Sequence, residues 1–246
     1  MRFTKMEGLG NDFVVVEPPF DPGLVAAICD RRRGVGADGV LEVSATAAGA
    51  RMRYWNADGS PAEMCGNGLR CVARFAVDRG VAAGPDLVVE TAVGPLRATV
   101  SAGSVTVELG AVEVADEVDL AGRRWRLASV GNPHAVTFVD DPGACDVDRI
   151  GREMQEAVPG GVNAGFVAVS DAGITLRVFE RGVGETLACG TGAAAAAAVA
   201  RARGVVGDDV TVDLPGGRAI VSFRDGSAWL TGPASYVFEG DYPYGV

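Results

Sequence analysis

Lysine and histidine are almost absent from this chain of 246 residues: Lys5 and His134 are its only examples. Pyridoxal phosphate chemistry begins with a lysine Schiff base, so Lys5 is its single candidate, and nothing else in the sequence supports that use. A zinc site could draw only on His134 and on cysteines such as Cys65, Cys71 and Cys189, and their spacing matches no common zinc pattern. No metal and no cofactor are expected. Five cysteines, an odd number thinly spread, do not form a disulfide framework; free thiols in a reducing compartment are expected. No apolar run is long enough to span a bilayer. The opening Met-Arg-Phe-Thr-Lys-Met-Glu lacks the apolar core of a signal peptide, and a cytoplasmic location is expected. A formal charge of −10 argues against nucleic acid or an anionic membrane as partner.

What the chain does have is a cysteine placed directly before a strong helix. Leu187-Ala188-Cys189-Gly190-Thr191-Gly192 leads into six alanines and ends its helical pattern at Gly204. The same arrangement occurs earlier, in Glu63-Met64-Cys65-Gly66-Asn67-Gly68-Leu69-Arg70-Cys71. Set at an offset of 124, the difference between 189 and 65, the residues Cys65, Gly66, Gly68, Ala73, Ala76, Arg79 and Gly80 each meet their own type without a gap. Upstream, Arg53-Tyr54-Trp55-Asn56 faces Arg177-Val178-Phe179-Glu180, and Asp21-Pro22 resembles Asp141-Pro142. Such self-similarity indicates a duplication. Two α/β halves are expected, 1–113 and 114–234. Chance likeness between Ala/Gly/Val-rich segments is the bland alternative.

Alternation of apolar and polar residues predicts strands over 13–17, 40–43, 52–55, 105–109, 135–139, 166–169 and 174–179. Runs at 87–90 and 210–213 follow the two cysteine helices. Further helices are predicted over 22–32, with Asp21 as N-cap and Gly34 just past the end, and over 146–157. The strands are short and mostly antiparallel in character. The fold class is therefore mixed α/β (α+β), and not a doubly wound parallel sheet.

A helix start presents N–H groups without internal partners and a partial positive charge. A thiol there is expected to ionise more easily, and the glycines allow a carboxylate or phosphate to approach the backbone. Two such entrances on opposite sides of one small acid would remove a proton from one face and deliver it to the other, inverting a stereocentre. Buried structural thiols are the alternative for Cys65 and Cys189, and are the favoured reading for Cys29, Cys71 and Cys145.

Together with Gly8-Leu9-Gly10-Asn11-Asp12-Phe13, Asn56-Ala57-Asp58-Gly59-Ser60, Gly131-Asn132-Pro133-His134 and Glu180-Arg181-Gly182, the two cysteine motifs resemble the diaminopimelate epimerase family over essentially the whole chain. The resemblance implies cofactor-independent epimerisation of LL-2,6-diaminopimelate to the meso isomer, a step toward lysine and peptidoglycan precursors. It implies that Cys65 and Cys189 are the catalytic pair, one thiolate and one thiol. It implies that backbone groups of Gly66, Asn67, Gly190 and Thr191 hold the reacting carboxylate. Asn11, Asn56, Asn132, Asn163 and Arg181 would bind the rest of the substrate, and Glu180 a distal ammonium. Glu180 and His134 would set the protonation of the sulfurs. The resemblance also implies a mixed, mostly antiparallel sheet wrapped around the cysteine helix of each half, a tail of about 235–246 that returns to the first half, and a homodimer. A proline-racemase-like enzyme usually has His where Asn67 stands. A phenazine-type isomerase lacks the two cysteines. A non-catalytic binder of a small anion would keep its ligand after loss of both thiols.

Overall fold

The computed structural model describes residues 1–62 and 64–243; Glu63 of the first cysteine motif and the end of the tail, 244–246, lie outside them. The chain divides into two compact units, Met1–Val107 with Gly232–Val246, and Glu108–Thr231.

In chain order the first unit contains β1 (Arg2–Gly8), β2 (Asn11–Val16), α1 (Val25–Cys29), β3 (Gly39–Thr46), β4 (Gly49–Asn56), β5 (Pro61–Ala62), α2 (Gly66–Asp78), β6 (Asp86–Thr91), β7 (Gly94–Ser101) and β8 (Ser104–Gly110), which runs to the boundary. The second contains β9 (Glu113–Leu120), β10 (Arg123–Ser129), β11 (Pro133–Phe138), α3 (Val147–Ala157), β12 (Asn163–Ser170), β13 (Gly173–Glu180), β14 (Gly184–Thr186), α4 (Gly190–Ala202), β15 (Asp209–Leu214), β16 (Gly217–Arg224) and β17 (Ser227–Gly232). The last strand, β18 (Ser235–Asp241), belongs to the first unit and pairs with β1.

Connectivity repeats strand for strand. In the first unit β1–β2, β3–β4, β4–β5, β6–β7 and β7–β8 are antiparallel, while β2–β3 and β4–β6 are parallel. In the second, β10–β11, β12–β13, β13–β14, β15–β16 and β16–β17 are antiparallel, while β11–β12 and β13–β15 are parallel. A parallel pair needs a crossover. The crossovers are the short helical segments between β2 and β3 and between β11 and β12, and the cysteine helices α2 and α4. Each unit is thus a mixed, mainly antiparallel sheet wrapped on a central helix, as the resemblance implies.

The central helices fit their sheets through small residues. Ala193 through Ala197 and Ala200 are fully buried, so α4 is apolar on every side and strands approach its backbone closely. Outside the sheets, α1 packs Val25, Ile28 and Cys29 against Phe3, Val14, Val40 and Trp55, and α3 packs Val147, Ile150 and Met154 against Trp125, Phe166 and Phe179.

Helix α3 starts where predicted, with Asp146 accepting the Arg149 N–H at 3.2 Å. The segment predicted as one helix over 22–32 differs. Asp21 caps a 3-10 turn, Pro22–Leu24, and the α-helical part ends at Cys29. Asp30 is the reason: it turns extended (φ −59°, ψ 116°) and its carboxylate accepts the N–H groups of Arg32 and Arg33 at 2.7 and 2.8 Å. A side chain that satisfies those donors removes the incentive to continue the helix. The chain then doubles back, with Val35 and Gly36 donating to the Ile28 carbonyl.

Candidate active site

Helices α2 and α4 each begin at a glycine preceded by an extended cysteine N-cap. The sulfur acts as the cap: Gly68 donates to Cys65 Sγ at 3.5 Å and Gly192 to Cys189 Sγ at 3.3 Å. The cysteine carbonyls accept the first ladder bonds, from Leu69 and Ala193. The amides of Gly66 and Asn67, and of Gly190 and Thr191, therefore occupy the first two helical positions, where the ladder offers no acceptor. Each helix end presents two backbone donors beside a sulfur, an arrangement that suits a carboxylate.

In the first unit the structure gathers Cys65, Asn11 and Asn67. Cys65 Sγ lies 3.4 Å from Asn11 Oδ1, which also accepts from Asn67 Nδ2 at 3.4 Å. Asn11 is oriented from behind by Asp38, whose Oδ2 accepts its amide at 2.6 Å. Asn56 ends β4 and donates to Ser60 Oγ at 3.0 Å, within the turn that returns to β5.

In the second unit a chain of polar contacts runs inward from β11. His134 Nε2 meets Asn132 Oδ1 at 3.0 Å, Asn132 Nδ2 donates to Thr191 Oγ1 at 3.3 Å, and Thr191 Oγ1 lies 3.6 Å from Cys189 Sγ. Asn163 bridges two strand ends, accepting the Arg181 N–H at 2.9 Å and donating to the Pro133 carbonyl at 3.1 Å. Arg181 Nη1 reaches the Gly160 carbonyl at 3.4 Å. Glu180 accepts from Thr186 Oγ1 at 2.6 Å.

The electrostatics correct one expectation. A helix start should make a thiol more acidic, yet Cys189 is pushed well above the ordinary thiol range. Burial is the main cause and the nearby Glu180 carboxylate the next; the bonds from Thr191 and Gly192 oppose them and lose. Cys189 is therefore held as a thiol. His134 is likewise held neutral, lowered to about 4 by burial and then by the Arg181 charge.

Lys5 is not a free amine. Buried between β1 and its surroundings, it pairs with Asp12 at 2.6 Å and donates to the Gly36 carbonyl. Burial alone would raise the Asp12 pKa, but hydrogen bonds from Arg31 and Lys5 outweigh it and bring the carboxyl down to about 2. Among the described residues no three His, Cys, Asp or Glu side chains group to hold a metal ion. Cys29 and Cys71 are buried, and burial raises both, to about 11 and about 12. Cys145 is half-buried, its sulfur 3.6 Å from the Asp141 carbonyl. A cavity of about 480 Å³ in the first unit, lined by residues such as Arg51, Tyr54, Trp55 and Glu90, contains none of the predicted site residues. Asp38 and Thr186, which bond Asn11 and Glu180, are not among the residues that the sequence singles out.

The same fold occurs in other solved structures. A Bacillus anthracis phenazine biosynthesis protein of the PhzF family superposes with a TM-score of 0.77 at 17% identity, covering 99% of both chains. A probable proline racemase from Agrobacterium radiobacter K84 gives 0.76 at 16% identity, covering 98% of this chain and 92% of that one. These likenesses establish the fold class.

Sequence is more specific. The family model described as Diaminopimelate epimerase matches residues 3–115 and 126–237. The diaminopimelate epimerase of Alkalilimnicola ehrlichii is 45% identical over 98% of both chains, and that of Moorella thermoacetica 40% identical over 99% of both. The chain belongs to the diaminopimelate epimerase family.

Proposed function

We propose that this protein interconverts LL- and meso-2,6-diaminopimelate without pyridoxal phosphate, and so supplies precursors of lysine and peptidoglycan in the cytoplasm. The observation that carries the reading is the repeated helix entrance: one cysteine cap and two unladdered amides in each unit, within a chain of this family. The amides of Gly66, Asn67, Gly190 and Thr191 bind the carboxylate at the reacting carbon. One sulfur takes the α-proton and the other returns a proton to the opposite face. A carbon acid this weak needs both a matched base and fixed dipoles at the carboxylate, where negative charge develops.

Cys189, held protonated by burial and Glu180, serves as the donor in one direction. Cys65 serves as the base, and the roles exchange in reverse. His134 acts as a neutral end to the Asn132–Thr191 chain that fixes Cys189. Asn11, Asn56, Asn132, Asn163 and Arg181 bind the remainder of the substrate, including its distal carboxylate, and Glu180 is placed for a distal ammonium. The domain reading stands beside this: two half-sites, 1–113 and 114–234, arose by duplication, and the tail completes the first. The protein works as a homodimer, supported by the apolar stripe Tyr236, Val237 and Phe238 on β18, each at least 40% exposed.

The test is a panel of L-amino acids, LL-diaminopimelate and proline included, assayed with reduced protein and no added cofactor. Inversion of diaminopimelate alone is expected. Cys65→Ala and Cys189→Ala should each lower its rate by about 10²–10⁴-fold. Near-normal turnover in either variant, or inversion of proline instead, would overturn the reading.

A further inference from the structure

The two half-sites are not electrically equivalent. Arg70 lies in α2 five residues after Cys65, and it is completely buried. At the duplicated position, 124 residues later, stands Ala194, also completely buried. The guanidinium is held in a shaped slot. Its Nε donates to the Pro233 carbonyl at 3.1 Å and Nη1 reaches the Gly66 carbonyl at 3.5 Å, while Nη2 has no hydrogen-bond partner among the described residues. The slot is walled by glycines: a Cβ at Gly8 would come within 3.1 Å of Nη2, and one at Gly232 within 3.3 Å of Nε.

A buried arginine stays charged and requires compensation. Carbonyls supply part of it. Among the described residues, the groups within its electrostatic reach that can carry negative charge are Cys71, Cys65 and Glu7. Cys71 is itself completely buried inside the helix. Glu7, on β1, is half-buried and accepts from the exposed Gly10 N–H at 2.9 Å. Glu7 and Cys65 remain, the sulfur at the mouth of the helix whose first carbonyl Arg70 holds.

We propose that Arg70 is a positioning residue that holds Cys65 as the thiolate before substrate arrives, so that the protein rests with a charged sulfur in its first unit and a protonated one in its second. The proposal deepens the epimerase reading and rests on it. Two neighbours of Cys65 pull in opposite directions: the Gly68 N–H favours the thiolate, and Asn11 Oδ1 favours the thiol. Arg70 decides the balance toward the thiolate. In the second unit the corresponding cation is missing, and the charged neighbour is Glu180, which favours the thiol. The resting protein therefore accepts first the isomer whose α-proton faces Cys65.

The test reads the sulfur directly and needs no turnover. Iodoacetamide alkylation of Cys65 is followed by peptide mass spectrometry as a function of pH, in the intact protein and in Arg70→Met and Arg70→Lys. The alkylation midpoint should rise by at least about one pH unit in Arg70→Met, a tenfold loss of rate below the midpoint, and return toward the original in Arg70→Lys. An unchanged midpoint in folded Arg70→Met, with Cys71 still protected from alkylation, overturns the proposal. Should Arg70→Met not fold, thiolate absorbance near 240 nm is titrated in the unaltered protein and in Cys65→Ala. Loss of a step below pH 8 in Cys65→Ala supports the proposal, and loss of a step at or above the ordinary thiol value overturns it. If diaminopimelate is not turned over but the midpoint still shifts with Arg70, the substrate assignment fails and the role of Arg70 stands.

Discussion

At the scale of single residues, function here depends on which protons stay where. His134 is buried and neutral, and its pKa falls from 6.5 to about 4, so the unfolded chain binds a proton that the folded chain refuses. Stability is then fully present above pH 6.5 and is lost as pH falls toward 4, by roughly 3 kcal/mol for a shift of this size. Urea unfolding between pH 7 and pH 4 should show that slope, and His134→Asn should flatten it; an equal slope in the variant would remove His134 as its cause. Asp12 adds a second loss only at lower pH, between 3.8 and about 2. The two cysteine motifs are legible in the sequence because a thiol, two glycines and a helix start are adjacent along the chain, whereas Asn56 and Asn163 enter through the family resemblance. The direction of the Cys189 shift was not legible. It is set by burial and by Glu180, nine residues earlier and brought near by β13, β14 and the turn between them. Arg70 was equally hidden, since an arginine within a helix ordinarily reads as an exposed charge.

At the scale of elements, periodicity locates α3 and the cysteine motifs locate α2 and α4. Prediction of the segment 22–32 went too far because Asp30 has two possible roles, as a helix residue or as a turn-former, and only the fold-back onto Ile28 decides between them. Close approach of elements was also invisible. Gly151 is one such point: a Cβ there would land on the Phe179 ring, so α3 can rest on β13 only with glycine at this position. Gly151→Ala should destabilise the protein by about 1–3 kcal/mol, the usual range for overpacking a core. Denaturant unfolding measures this, and an unchanged midpoint would mean that α3 sits farther from β13 than described.

At the scale of the whole molecule, the duplication is legible in a gapless match around two helices, and it extends to the order and direction of seven strand pairs in each unit. What sequence alone does not convey is the partner and register of the last strand: β18 pairs with β1, the Met1 amino group meeting the Tyr242 carbonyl at 2.7 Å. That strand presents Tyr236, Val237 and Phe238 outward. If this stripe joins two copies, sedimentation should give twice the chain mass, and Val237→Asp should give the single-chain mass; a monomer in the unaltered protein contradicts the proposal. No helix of the described residues is long and apolar enough to cross a membrane.

The account depends on two sulfurs serving one carbon, and isotope tracing in heavy water tests this most directly. Reduced protein is given LL-diaminopimelate in D₂O and sampled within the first few per cent of reaction. The meso product should carry one solvent deuteron at the inverted carbon, while the recovered LL isomer keeps its original proton, because different groups remove and deliver. Deuterium entering the recovered LL isomer as fast as the product, or no deuterium in either, contradicts the account.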